Sequence, residues 1–292
     1  MTFIFFGTPK ESAMVLDILK SHDFLPAMVV TAPDRPAGRG LKMTESPVAA
    51  WAAQNSINTF KPESLKNSEA VETIAKAIAE SGAELAIVFA YGKIIPQSIL
   101  SLFPKGTLNI HPSLLPLHRG PAPVEGAILS GDVETGVSIM VLDSDMDHGP
   151  IIAQEKITLE SDSTTPELLE KLVRIGAEKI ASLLPDYAAG IIEATEQDHS
   201  KATFTKKISK ADGEIAEADL SDASKAAELY TKYRAYAGWP SLYFFSQSPD
   251  GTKNRIAIKK ARLENNAFII ERVTPEGKKE MDYADYLKTK KS

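Results

Sequence analysis

Leu108-Asn109-Ile110-His111-Pro112-Ser113-Leu114-Leu115-Pro116 runs from an apolar segment directly into a histidine and a proline-bounded stretch. Leu108–Ile110 reads as a short buried strand, and Pro112 closes it. Asn109 and His111 are two residues apart, so in extended chain they project to the same face. Similar apolar runs stand at Phe3–Phe6, Ala27–Thr31, Leu85–Phe89 and Val137–Leu142. Helical spacing fills the gaps, near 47–54, 68–80 and 121–129. Strands buried on both faces and separated by helices predict an open, mostly parallel α/β sheet over the first ~190 residues. Ligands bind such sheets at the carboxyl ends of the strands, where His111 stands.

Working outward, Gly7-Thr8-Pro9 breaks the first strand, and Met14, Val15, Ile18 and Leu19 then recur at helical spacing. Pro33–Pro47 is rich in Pro and Gly and reads as a loop. A helix is expected after Thr165, with Thr165 as N-cap, Pro166 at its first position and Glu167 in its first turn, running to about Leu184 before Pro185. Asp147 follows the Val137–Leu142 strand. Consecutive strands of a parallel sheet are often neighbours, so this acid is placed to reach His111 and raise its basicity. The alternative is three surface aspartates, Asp143, Asp145 and Asp147, in one loop. Tyr187–Lys201 has few apolar anchors beyond Ile191 and Ile192, which marks a linker. The expected division is a domain over 1–189, a linker over 190–205 and a second domain over 206–292. That second domain begins near Ile208, has a helical stretch near 222–236, and then β-like runs at 242–246, 254–261 and 267–273. With the turn signal Pro249-Asp250-Gly251, these predict a small β-barrel.

Composition removes several classes of chemistry. The chain has 292 residues, 43% hydrophobic and 25% charged, which fits a folded protein of two domains. It has no cysteine, so disulfides, thiolate zinc sites and a cysteine nucleophile are excluded. Gly38-Arg39-Gly40 is followed by Met43 where a dinucleotide fingerprint needs its third glycine, and no Walker loop is present. Asp143, Asp145 and Asp147 open like a calcium loop, but His148 and Gln154 occupy the positions that need Gly and Glu. The five histidines lack metal-ligand spacing, and no metal is expected. No apolar run has a membrane span's ~18 residues, and a cytoplasmic protein is expected. Residues 1–199 carry 15 Lys and Arg against 26 Asp and Glu, whereas residues 200–292 carry 18 against 13. An acidic body with a basic last third fits either a domain that meets a polyanion or a solvated lysine-rich surface.

Leu108–Pro116, followed by Arg119-Gly120 and Met146-Asp147-His148-Gly149, resembles the core of the 10-formyltetrahydrofolate-dependent formyltransferases. The resemblance covers essentially the whole chain. It implies a Rossmann-like catalytic domain followed by a small OB-like β-barrel. It also implies Asn109, His111 and Asp147 as the catalytic trio. Ser113, Leu114, Leu115 and Pro116 correspond to the folate site, and Phe89-Ala90-Tyr91-Gly92 to a loop that helps hold the pterin. Thr31–Gly40 resembles a loop found in those members that formylate initiator methionyl-tRNA. Arg35, Arg39 and Lys42 are then expected to meet acceptor-end phosphates, and the basic last domain the stem. The chain departs from the family pattern at Lys10-Glu11-Ser12, where a Phe is usual, and at Ala216-Glu217, where Ile215 is usually followed by Asp-Trp. The implied donor is 10-formyltetrahydrofolate and the implied partners are folate and initiator methionyl-tRNA, with a monomer and no DNA or membrane partner expected. The rival readings are a formyltransferase acting on a nucleotide-sugar amine and a non-catalytic RNA-binding protein.

Overall fold

The computed structural model describes residues 1–37, 42–247 and 251–290. In chain order the first elements are β1 (Phe3–Gly7), α1 (Lys10–Ser21), β2 (Pro26–Val30), β3 (Arg35–Ala37), β4 (Lys42–Thr44), α2 (Pro47–Gln54), β5 (Asn58–Phe60), α3 (Ser68–Ser81) and β6 (Leu85–Phe89). They continue as α4 (Gln97–Leu100), β7 (Thr107–His111), α5 (Pro123–Ser130), β8 (Glu134–Val141), β9 (Ile151–Thr158) and α6 (Thr165–Ala188). The remainder holds α7 (Ala226–Ala235), β10 (Tyr243–Gln247), β11 (Lys253–Glu264), β12 (Ala267–Pro275), β13 (Met281–Asp282) and α8 (Tyr283–Thr289).

The residues fall into two compact units, each drawn from separated stretches. One comprises 1–120, 135–157 and 170–204; the other comprises 121–134, 158–169 and 205–292. The first holds a sheet ordered β5-β2-β1-β6-β7-β8-β9. Strands β5, β2, β1, β6 and β7 are parallel. Every residue of β1 and β6 is buried, as a strand covered on both faces requires. From β1 the chain steps out to β2 and β5, then returns to the other side of β1 for β6 and β7. The order therefore reverses between β1 and β6, which is where such sheets form a ligand crevice. Gly7 pairs with Phe89 and Val88 with Asn109, so the segments leaving β1, β6 and β7 emerge along one sheet edge.

Strand β8 differs from the expected parallel neighbour. It runs antiparallel to β7, with His111 opposite Ser138 and Leu108 opposite Val141. Its end therefore lies level with the start of β7, and the 142–149 segment must double back to carry Asp147 to His111. The expected loop at 33–47 contains two short strands instead. β3 and β4 pair antiparallel, Arg35 opposite Thr44 and Pro36 opposite Met43. A two-stranded ribbon has free edges, which is where a strand tolerates proline.

The N-cap of α6 is Thr164 rather than Thr165. Glu167 accepts hydrogen bonds from the Thr164 N–H at 3.0 Å and its hydroxyl at 2.6 Å, while the Thr165 hydroxyl donates to the Ala235 carbonyl at 2.7 Å. The helix also continues past Leu184 and Pro185 to Ala188. Proline there removes one N–H near the end of the helix, where less of the ladder depends on it.

The other unit contains a four-stranded antiparallel sheet ordered β10-β11-β12-β13. Helix α7 packs on β11 and β12, with the Tyr233 and Phe268 rings edge to face at 6.3 Å. The expected turn at Pro249-Asp250 lies outside the described residues.

Two glycines fix close approaches in the first unit, one of α6 to the strand that carries Asn109 and His111 and one between β8 and β9. A Cβ on Gly176 of α6 would stand 2.5 Å from Ile110 Cγ2 and 2.9 Å from Val137 Cγ2. On Gly136 of β8 it would stand 2.2 Å from the Glu155 carbonyl oxygen. An exposed helical Gly→Ala normally stabilises by about 1 kcal/mol. Gly176→Ala should instead destabilise by about 1–3 kcal/mol, because both methyls sit on branched carbons that cannot swing away. Gly136→Ala should cost more, since backbone must move. Denaturant unfolding of the two variants checks the sign and the order.

Candidate active site

Asn109 and His111 lie two residues apart near the carboxyl end of β7. His111 is 4% exposed, and its Nε2 donates to the His118 carbonyl at 3.1 Å. A carbonyl only accepts, so Nε2 carries the hydrogen and a neutral ring keeps its lone pair on Nδ1. Nδ1 faces Asp147 Oδ1 at 3.7 Å, too long for a hydrogen bond but close for an ion pair. The other Asp147 oxygen, Oδ2, accepts from the Gly120 N–H at 2.7 Å. Half-buried Asn109 has no side-chain hydrogen bond to any of the described residues, so its carboxamide hydrogens remain available.

Burial holds the His111 imidazole below its usual value of 6.5, because charging a ring removed from water is costly. The Asp147 carboxylate and the hydrogen bond to His118 oppose that shift without overcoming it. The site thus presents a neutral base, a carboxylate facing its lone pair and an uncommitted amide donor.

Three consecutive residues hold these groups. His118 supplies the carbonyl for His111, Gly120 supplies the N–H for Asp147, and Arg119 between them is 3% exposed. The Arg119 guanidinium donates to Gln197 Oε1 from Nε at 3.2 Å and from Nη2 at 2.6 Å, and Nη2 also donates to His199 Nδ1 at 2.8 Å. Gln197 in turn donates from Nε2 to the carbonyls of Asp147 at 3.0 Å and Gly149 at 2.7 Å. The Thr203 hydroxyl accepts from the His118 N–H, and the Thr203 carbonyl from the Arg119 N–H. The stretch expected as a linker at 190–205 therefore carries Gln197, His199 and Thr203 to the site. Sequence reasoning missed them because polar bonds to backbone leave no apolar periodicity; the one available signal was Gln197, an amide among charged neighbours.

The other expected residues divide. Ser113 and Leu115 are buried and already committed: the Ser113 hydroxyl donates to the Leu117 carbonyl within the loop, the Leu115 N–H donates to Ser138 of β8, and the Leu115 carbonyl accepts from Gln154 of β9. Half-buried Leu114 and Pro116 are what that stretch presents. Phe89 and Tyr91 turn their rings inward, Tyr91 edge-on to Phe6 at 5.5 Å. Burial pushes the Tyr91 phenol up to about 12, and its hydroxyl has no hydrogen-bond partner among the described residues. The exposed part of this loop is Ala90 and Gly92, both at positive φ. Arg35 and Lys42 are exposed on β3 and β4, and no carboxylate among the described residues pairs with either; Arg39 lies outside the described residues. Lys61 pairs with Asp34 at 2.6 Å and with Glu45 at 3.8 Å, neutralising the acids at the base of the ribbon. Among the described residues, no three His, Asp or Glu converge to hold a metal ion.

A family model described as formyl transferase matches residues 1–186. The methionyl-tRNA formyltransferase of Chloroflexus aggregans is 44% identical over 84% of this chain and 76% of its own length. That of Roseiflexus castenholzii is 38% identical over 98% of this chain and 95% of its own length. Among solved structures, a sugar N-formyltransferase from a Shewanella species has a TM-score of 0.65 at 17% identity, covering 89% of this chain and 97% of its own. That likeness speaks to the fold, whereas the end-to-end identity speaks to the line of descent. The chain belongs to the formyl transferase family, alongside the methionyl-tRNA formyltransferases.

Proposed function

We infer that this chain transfers a formyl group from 10-formyltetrahydrofolate to the α-amino group of methionyl initiator tRNA, the step that prepares it for translation initiation. The observation that carries the reading is the His111–Asp147 pair beside the uncommitted Asn109 carboxamide, in a chain alignable almost end to end with a methionyl-tRNA formyltransferase. The cytoplasm, where tRNA is charged, is the corresponding location, and no helix among the described residues is long and apolar enough to cross a membrane. A monomer is proposed, with residues 1–189 as catalytic domain and 206–292 as tRNA-binding domain.

The residues present fit a folate formyl donor. Exposed backbone at Ala90 and Gly92 leaves β6, and the apolar Leu114 and Pro116 follow β7, along the same sheet edge as Asn109. The donor supplies the formyl carbon. Asn109 donates an N–H to the formyl oxygen as negative charge builds there; one such donor contributes about 3–4 kcal/mol of transition-state stabilisation. A free α-amino group titrates near pKa 8, so part of it must lose a proton before it attacks. That first proton goes to solvent; Nδ1 of His111 takes the one the attacking nitrogen sheds as its bond to the formyl carbon forms, and Asp147 Oδ1 then faces a cation it stabilises. The proton is afterwards available to the leaving folate nitrogen. Each group acts more strongly in the transition state than before it, which is the condition for raising kcat.

The same trio would serve an amino-sugar acceptor, so the choice rests on features that recognise RNA. Arg35 and Lys42 project from the ribbon with no paired carboxylate among the described residues, and residues 200–292 are net basic. An assay with 10-formyltetrahydrofolate as donor should show turnover on aminoacylated initiator tRNA and essentially none on nucleotide amino sugars; the reverse preference would reassign the acceptor.

Replacing Asn109 by Ala, His111 by Ala or Asp147 by Ala should each lower turnover about 100-fold or more with the fold retained. A folded variant that turns over normally removes that residue from the mechanism. NMR titration of the His111 ring should give a midpoint below 6.5, and Asp147→Asn should lower it further, because the carboxylate favours the charged ring. A midpoint above 6.5, or an upward move in Asp147→Asn, would contradict the neutral-base assignment. Joint replacement of Arg35 and Lys42 by Ala should weaken tRNA use and flatten its salt dependence, by about 0.7–0.9 in slope for each phosphate no longer neutralised. Folate affinity should not change.

A further inference from the structure

We propose that Gln197 is a positioning residue for formyl transfer, a role that rests on the reading of Asp147 as part of the catalytic group. Gln197 is 6% exposed, and both ends of its carboxamide are committed. Its oxygen accepts two hydrogen bonds from Arg119, at 3.2 and 2.6 Å, and its nitrogen donates to the carbonyls of Asp147 and Gly149, at 3.0 and 2.7 Å. The orientation of the amide is forced. A guanidinium only donates and a carbonyl only accepts, so the amide oxygen must face Arg119 and the NH2 must face the loop.

The loop needs such a restraint. Asp147 has φ +49, a left-handed conformation that a residue with a Cβ adopts at a cost, so the backbone tends to relax out of it unless its surroundings hold it. Gln197 grips the carbonyl of that residue and the carbonyl two positions on. With the Gly120 N–H on Oδ2, this leaves the Asp147 carboxylate one orientation, with Oδ1 toward His111. Arg119 fixes the amide, the amide fixes the backbone of the loop, and the backbone fixes the carboxylate. Gln197 itself makes no hydrogen bond to Asn109 or His111, so it acts through Asp147.

This role predicts a particular coupling. Gln197→Glu is the informative variant: it has the same shape and keeps an acceptor for Arg119, but replaces the two donations with an oxygen facing two carbonyls. Gln197→Ala removes both. In the wild-type background each should lower kcat about 10- to 100-fold while KM for 10-formyltetrahydrofolate moves less than about threefold, because a misplaced catalytic group costs rate rather than donor binding. In the Asp147→Asn background the same substitutions should cost less than about threefold more, since the group they position is already disabled. Circular dichroism and thermal melting establish that the variants are folded, and Gln197→Glu, which retains the Arg119 contact, serves if Gln197→Ala is not. A folded Gln197→Glu enzyme with wild-type kcat, or losses that multiply in the Asp147→Asn background, would overturn the proposal. Full activity of Asp147→Asn alone would instead refute the assignment of Asp147 on which it rests.

Discussion

A backbone carbonyl can only accept, and the carbonyl of His118 thereby decides which nitrogen of His111 is free for chemistry. Much of the site follows from that bond. It ties up Nε2, leaves the lone pair on Nδ1, and orients it toward Asp147. The same turn of chain then places the Gly120 N–H on the other carboxylate oxygen. Base and acid are thus referenced to one tripeptide, so their separation does not depend on how two distant loops settle independently. Burial adds the electrostatic half. It keeps the ring neutral at rest, while the nearby carboxylate keeps protonation accessible when a proton is delivered.

The scaffold beneath is built for close approach. Strands with no exposed residue, β1 and β6, put the crevice at the reversal of strand order, and a helix without a side chain at Gly176 lies against Ile110, between Asn109 and His111. Ile110 points to the face opposite Asn109 and His111, as period-two geometry demands. Packing on one side of β7 and chemistry on the other are therefore coupled through a single backbone.

Legibility in the sequence followed the physical nature of each interaction. Asn109 and His111 were readable because strand periodicity and a terminating proline are local. The parallel core was readable because doubly buried strands are continuous apolar runs. Asp147 follows from strand order only if β8 is a parallel neighbour; β8 is antiparallel, and the acid arrives because its loop doubles back. The β3–β4 ribbon has no apolar alternation to mark it, being short, containing Pro36 and exposing Arg35, Pro36 and Lys42–Thr44. Thr164 and Thr165 are both competent caps; Glu167 engages Thr164 locally, while the Ala235 carbonyl, 70 residues away, takes the Thr165 hydroxyl. Thr203 leaves no signature along the chain and Gln197 only that of an amide between Glu196 and Asp198, because bonds from side chain to distant backbone impose no periodicity.

The segment from 195 to 204 also bears on how the enzyme is made. Chains emerge amino terminus first, and domains tend to fold as they appear. When the first 186 residues, the span of the family match, have been synthesised, all seven strands of the large sheet exist, along with Asn109, His111 and Asp147. Gln197 and Thr203, which hold the Asp147 loop and the turn at His118, do not. The nascent protein therefore carries the side chains of the candidate site before it carries the bonds that align them. The last part of this unit to leave the ribosome is the part that completes its site.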